Sequence, residues 1–273
     1  MTRVMAGAGS EIRIAMRNRW VAIAVTMMAL FALVLSAAGS APTGQIGADK
    51  LSVTVASLTS LAVYLVPLLA LLMSFDAVAG EIERGTLPLI LTYPVSRGEI
   101  LAGKFLAHLA VLGIALLAGY GMAAVAAFAF DPGAAAGLPA LVRLLLSSLL
   151  LGAAFLGAGY AVSAVSRRPG AAAGAAIGLW LVFVVLYDLG LLAAVVADGG
   201  GAFTTGVFPW LLLANPADAF RLYNLAASEA AGAAAGVAGA AQTIPPAWAL
   251  SSLLFWAAGG FALALLAFRR VRP

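Results

Sequence analysis

Long apolar runs separated by short gaps, with the cations confined to alternate gaps, constrain this chain more than any other feature. Of its 15 Lys and Arg, four lie in the N-terminal tail (Arg3, Arg13, Arg17, Arg19) and three in the second gap (Arg84, Arg97, Lys104). Two more lie in the fourth gap (Arg167, Arg168) and three in the C-terminal tail (Arg269, Arg270, Arg272). Only Lys50, Arg143 and Arg221 fall elsewhere. A membrane-crossing helix needs about 20 mostly apolar residues. Six segments qualify: Trp20–Ala38, Val53–Phe75, Leu106–Phe130, Leu138–Val165, Ala171–Ala197 and Ala247–Phe268. Lys and Arg concentrate in cytoplasmic loops, which puts both termini, residues 76–105 and residues 166–170 inside, and residues 39–52, 131–137 and 198–246 outside. Arg143, about one turn into the fourth helix, is expected to snorkel to the outer interface. Runs such as Leu144–Leu151 do not alternate, so helices rather than barrel strands satisfy the backbone. The expectation is an all-α integral membrane protein of six spans, with both termini cytoplasmic, forming one domain over residues 1–273.

Charged residues make up 10% of the chain, too few to cover a soluble surface, where about a quarter is usual. The net charge of +4 does not indicate nucleic acid, because the cations abut apolar helix ends and form no separate basic face. With no Cys, disulfides and thiolate metal sites are excluded, and a single His cannot build a multi-His metal site within one copy. The apolar run Trp20–Ala38 exceeds the roughly 7–15 residues of a signal-peptide core and reads as an uncleaved first span. Before it, Ile12, Met16 and Trp20 recur at helical spacing beside Arg13 and Arg17, either as an interfacial helix over 11–20 or as an ordinary basic flank.

Two gaps exceed a turn. In the outer gap, 198–246, a short apolar stretch around Trp210 is followed by Asn215-Pro216-Ala217-Asp218, a helix start with Asn as N-cap, Pro in the first turn and an acid at the positive end. This pattern predicts a helical hairpin dipping into the outer leaflet. The Ala/Gly tract 226–241, ended by Pro245-Pro246, is either a loop or a weak helix.

The inner gap opens with Asp76, Glu81 and Glu83, and Gly85-Thr86 breaks the pattern. An apolar stretch Leu87–Leu91 follows and Tyr93-Pro94 stops it. Ser96 and Glu99 form a capping box, and Val95 and Ile100 occupy the positions of a hydrophobic staple, so a helix begins at Arg97 and continues through Lys104 into the third span. The expected unit is a short surface helix, a sharp turn, and a rigidly capped helix entering the bilayer.

Glu81-x-Glu83-x-Gly85-Thr86, then Leu91-x-x-Pro94-x-Ser96-Arg97 and Gly103-Lys104, resembles the permease subunits of type-2 ABC transporters. The resemblance implies that the segment 76–105 docks on a separate cytoplasmic ATPase, with Glu81, Glu83, Arg84, Gly85, Thr86, Leu91, Pro94, Ser96, Arg97, Glu99 and Lys104 as its coupling residues. Thr92-Tyr93-Pro94, Gly103-Lys104-Phe105, Trp210–Leu213 and Asn215-Pro216-x-Asp218-x-Phe220-Arg221 are similar, more narrowly, to the permeases that serve maturation of nitrous-oxide reductase. That narrower likeness implies a homodimer in the bacterial inner membrane, a NosF-like ATPase that binds the ATP and Mg, and a periplasmic NosD-like copper-handling partner. Trp210, Asn215, Pro216, Asp218 and Arg221 are then candidates to face that partner. A generic exporter of drugs, lipids or polysaccharides is the alternative.

Gly98–Phe105 nearly spells a phosphate-binding loop but lacks the Ser or Thr for Mg²⁺ at position 105, lacks a preceding strand, and carries Glu99 where phosphate would sit. No catalytic motif is present, so the chain reads as a transporter subunit rather than an enzyme. His108 reads as a packed or interfacial residue, and the seven Met as packing rather than a metal path. Asp188, an acid inside the fifth span, is either functional or paired with a polar neighbour. Gly170, Gly174 and Gly178 repeat every four residues, as a close-contact groove or as plain Ala/Gly richness. Solute transport and purely mechanical transmission both remain open on these residues.

Overall fold

The computed structural model describes residues 50–92, 94–225 and 244–271, together with Thr26 and Leu30. Apart from Thr26 and Leu30, the first expected span (20–38) lies outside the described residues, as do the interfacial helix over 11–20, the Ala/Gly tract 226–241 and Tyr93. The described residues form helices joined by short turns, with no strand among them. Helix α1 is Lys50–Ser74, α2 Ala79–Glu83, α3 Leu87–Leu91, α4 Arg97–Phe130 and, after a 3₁₀ turn at Pro132–Gly137, α5 Leu138–Val165. Helix α6, Pro169–Trp180, runs through a π-helical stretch, Leu181–Leu186, into α7, Tyr187–Asp198. A second π stretch, Phe203–Val207, leads to α8 (Phe208–Leu213) and α9 (Pro216–Leu225), and α10 is Pro246–Arg269. Five helical segments among the described residues are long and apolar enough to cross a membrane: Thr54–Glu83, Arg97–Ala129, Gly133–Val165, Pro169–Asp198 and Pro246–Arg269.

The centre of the fold is α5, with α10 on one side and α1 on the other. Small residues let α10 approach closely. A methyl group at Gly157 would overlap the backbone of Gly260, and one at Gly260 would lie 2.8 Å from the Ala154 carbonyl oxygen. Without a hydrophobic drive between helices in lipid, such backbone proximity is a principal source of association. By contrast, Gly170, Gly174 and Gly178 meet no neighbour among the described residues.

Side-chain ties gather the gaps at two ends, as the alternation of cations requires. At one end the Ser163 hydroxyl accepts from the backbone N–H of Val78 and of Ala79, both at 3.0 Å. Arg97 there donates through Nη1 to the carbonyls of Phe268, Arg269 and Val271 at 3.1, 3.2 and 2.6 Å, closing the C-terminus of α10. At the opposite end Arg143 lies over the Tyr223 ring, 5.9 Å from its centroid, and Ser252 donates to the Leu213 carbonyl at 2.6 Å. The first end is the one the charge pattern assigns to the cytoplasm, and it is called the inner end below.

Candidate functional site: an inner elbow and an outer hairpin

The inner elbow begins where α1 ends. After turn residues 75–78, Ser163 of α5 supplies the acceptor that the first N–H groups of α2 lack. The Asp76 carboxylate lies against Gly80, where any side chain would overlap it. Helix α2 ends in a Schellman motif: Gly85 takes φ +67°, its N–H donates to Ile82 O at 3.1 Å, and Thr86 N–H donates to Glu81 O at 3.0 Å. Glycine takes that left-handed conformation at no Cβ cost, so Glu-x-Glu-x-Gly-Thr is a helix stop with a turn built in. Helix α3 then starts at once, with Pro88 in its first turn.

The two acids of the motif part company. Glu81 is buried and its Oε1 accepts from Lys104 Nζ at 2.6 Å, with both side chains about a tenth exposed. Glu83 and Arg84 face outward, and Arg84 reaches Asp76 at 3.4 Å in an exposed pair of little energetic weight. On α3, Leu87 is buried, Leu91 packs on the core, and Leu89 stands 65% exposed at the tip. Pro94 is exposed too. The capping box is present in full: Ser96 Oγ accepts from Glu99 N–H at 3.2 Å, while Ser96 N–H donates to Glu99 Oε2 at 2.9 Å. Gly98–Lys104 is helical, as the rejection of a phosphate loop requires, and Lys104 is committed to Glu81. One turn beyond Lys104, His108 Nδ1 lies 2.7 Å from the Tyr160 hydroxyl and the two rings stack, which is a packed histidine.

The outer hairpin is α8 and α9. Asn215 caps α9, its Oδ1 accepting from Ala217 N–H at 2.9 Å. Its amide nitrogen donates to Phe183 O at 2.6 Å. Phe183 lies in the π stretch between α6 and α7, where the wider turn takes carbonyls out of the α ladder, so one residue caps one helix and serves an interrupted one. Tyr187 donates to Leu211 O at 2.8 Å. Asn224 of α9 donates to Ser147 Oγ on α5 at 2.9 Å.

Asp188 is paired rather than solitary. Arg221 donates from Nη1 to its Oδ1 and from Nη2 to its Oδ2, each at 3.1 Å, in a two-pronged pair between α9 and α7. Arg221 Nη1 also reaches Asp218 Oδ1 at 3.3 Å. Burial pushes Asp218 up to about 7, with the Asp188 charge adding to the rise and Arg221 opposing it. Of the residues expected to face a partner, Trp210 is exposed and stacks edge-on with exposed Trp248, ring centres 6.0 Å apart. Asn215, Pro216 and Asp218 are buried against the chain's own helices, and Arg221 is half-buried.

Sequence reasoning missed Ser163, the capture of the α10 carbonyls by Arg97, the exposed Leu89 and the partner of Asp188. Ser163 and Arg97 carried no local signal, since their partners lie 84 and 171 or more residues away. The Asp188–Arg221 pair had one: an acid in one apolar stretch and a displaced cation in the next.

The ABC-2 family transporter protein model matches residues 5–272. A probable ABC transporter permease protein NosY of Pseudomonas aeruginosa is 46% identical over 270 residues, covering 97% of each chain. A protein of the same description from Stutzerimonas stutzeri is 42% identical over 274 residues, covering 99% of each. A likeness that spans nearly the full length covers the elbow and the hairpin alike, and the chain belongs to the ABC-2 family as a membrane-spanning transporter permease.

Proposed function

We propose that two copies of this chain form the membrane part of an inner-membrane ABC complex, with a separate cytoplasmic ATPase docked under the elbow of α2 and α3. The observation that carries this reading is the two-faced build of the elbow. One face is fastened to the membrane helices through Glu81–Lys104 to α4 and through Ser163 to α5. The other presents Glu83, Arg84, Pro88 and Leu89 outward. An element pushed on its free face and fastened on the other moves α4 and α5 with it. ATP and Mg belong to the partner in this reading.

The likeness to NosY permeases supports service in copper-site assembly of nitrous-oxide reductase, with a periplasmic NosD-like protein as the outer partner. Within that service, transmission of movement is favoured over carriage of a copper or sulfur species by the ties of the outer hairpin. Asn215, Tyr187, Arg221 and Ser252 bind α8 and α9 to α7, to the π stretch before it and to α10, so a displacement of those spans carries the hairpin along. The exposed Trp210–Trp248 pair is the part of this end offered to a partner.

Glu83→Lys combined with Leu89→Asp is expected to abolish co-purification of the cognate ATPase while the chain still inserts and folds. Full retention of a coupled ATPase by that variant overturns the docking assignment. ATP-dependent accumulation of copper or of a sulfur compound in vesicles holding the whole complex overturns pure transmission and restores carriage. Accumulation of a drug or lipid instead makes the chain a generic exporter.

A further inference from the structure

The anchor of the outer hairpin contains one more carboxylate than its cation can serve. Arg221 spends both terminal nitrogens on Asp188 and reaches Asp218 Oδ1 at the longer distance of 3.3 Å. Asp218 is 2% exposed, and its other oxygen, Oδ2, is buried with no hydrogen-bond partner among the described residues. A buried, ionised and half-served carboxylate is disfavoured by lost hydration, and such a group neutralises itself by taking a proton.

Among the described residues, the surroundings offer no second cation. Helix α9 packs against α1, α5, α8 and α10 and is tied to α7. From α1 it is faced by Tyr64, from α7 by Asp188 and Tyr187, and from α5 by Arg143, which is engaged over Tyr223. The sequence of α8 has no titratable residue, and that of α10 has only Arg269 at the far end. One cation therefore faces two carboxylates, and one bound proton makes the group neutral.

We propose that Asp218 is a proton site of the outer hairpin, occupied while α8 and α9 sit on α7 and emptied into the outer water when the hairpin lifts away. On lifting, the Asp218 O–H bond breaks, the proton passes to water, and the carboxylate is solvated; on reseating the reverse occurs. Seating and proton uptake are thus one linked equilibrium, and a rise in outer pH favours the lifted hairpin. The elevated affinity of Asp218 for a proton, near neutrality, places this linkage within the range an outer compartment experiences. The inference stands on the hairpin alone and holds whichever ATPase, partner or cargo the complex has.

The test uses the full-length chain in lipid nanodiscs. Infrared difference spectra taken across a pH titration are expected to show the carbonyl band of a protonated carboxylic acid that vanishes near neutrality and is missing in Asp218→Asn. In Asp188→Asn, Arg221 serves Asp218 alone, so the midpoint is expected to fall. The chain has no cysteine, so spin labels go only where cysteines are introduced. Labels at Ala214 and Leu192 are expected to give a separation that broadens as pH rises, with the seated-to-lifted ratio changing by up to about tenfold per pH unit for one proton. In Asp218→Asn the separation is expected to stay narrow at every pH. A band that persists in Asp218→Asn, a midpoint in the ordinary carboxylate range, or label distances with unchanged pH dependence in that variant each overturns the proposal. Should Asp218→Asn fail to fold, Asp188→Asn decides alone, and an unmoved midpoint there overturns it.

Discussion

Glu81 and Glu83 stand two positions apart in one motif and have opposite fates. Glu81→Gln leaves Lys104 charged and buried with a weaker acceptor, which is expected to cost about 3–5 kcal/mol of stability, whereas Glu83→Gln is expected to change it by less than about 0.5 kcal/mol. Thermal unfolding of the two variants in the same detergent checks the contrast. Replacing both Glu81 and Lys104 with Met is expected to restore most of the loss, because a well-packed apolar pair avoids desolvating two charges. Ser163→Ala strips the acceptor from two buried N–H groups and is expected to cost about 1–3 kcal/mol. Asp218 adds a pH dependence whose sign is set by its raised value. The folded chain keeps a proton that the unfolded chain releases above the ordinary 3.8. Its contribution to stability therefore declines as pH rises from about 4 to about 7 and is flat above, and unfolding of Asp218→Asn across that range is expected to lack the decline. The motif marks the elbow, but no rule of spacing tells which acid turns inward, since that depends on Lys104 arriving 23 residues later.

Among the helices, α4 and α5 were the most legible. The Ser96–Glu99 box marked the start of α4, and the α5 bounds Leu138–Val165 are those of the apolar run itself. The fifth expected span was legible as a length but not as a shape. Its π stretch has no composition signature, because Leu181–Leu186 is as apolar as the helix on either side. What marks it is Asn215, 32 residues on, donating to Phe183 O. Asn215→Ala removes both the α9 cap and the donor to that carbonyl. It is expected to cost about 1–3 kcal/mol, as the sum of a lost cap and a lost bond to a part-buried carbonyl, and to loosen the hairpin as read by proteolysis of residues 203–225. The α5–α10 contact depends on backbone proximity at Gly157 and Gly260, so Gly157→Val is expected to separate the two helices and lower the melting temperature of the whole chain. The regular glycines at 170, 174 and 178 could be read from spacing as a contact groove or as plain Ala/Gly richness, and among the described residues nothing packs against them. Periodicity gives a face and says nothing of what covers it.

For the molecule as a whole, the division of gaps between two ends is the feature that sequence and structure share. A cysteine introduced at Leu89 is expected to be labelled by a membrane-impermeant reagent only after cells are opened, as the charge pattern predicts for a turn on the cytosolic side. Labelling from intact cells would put the elbow out of reach of any nucleotide-driven partner. Apolar length was enough to establish a multi-pass helical chain and five of its expected spans among the described residues, because bilayer thickness and backbone hydrogen bonding act on each segment separately. Which charges are buried, which helices touch, and which carbonyl an Asn serves are properties of pairs far apart in the chain. Glu81 with Lys104, Asp188 with Arg221, and Gly157 with Gly260 meet only once the spans have packed. Each partner there is chosen by geometry across helices, and local sequence carries no record of it.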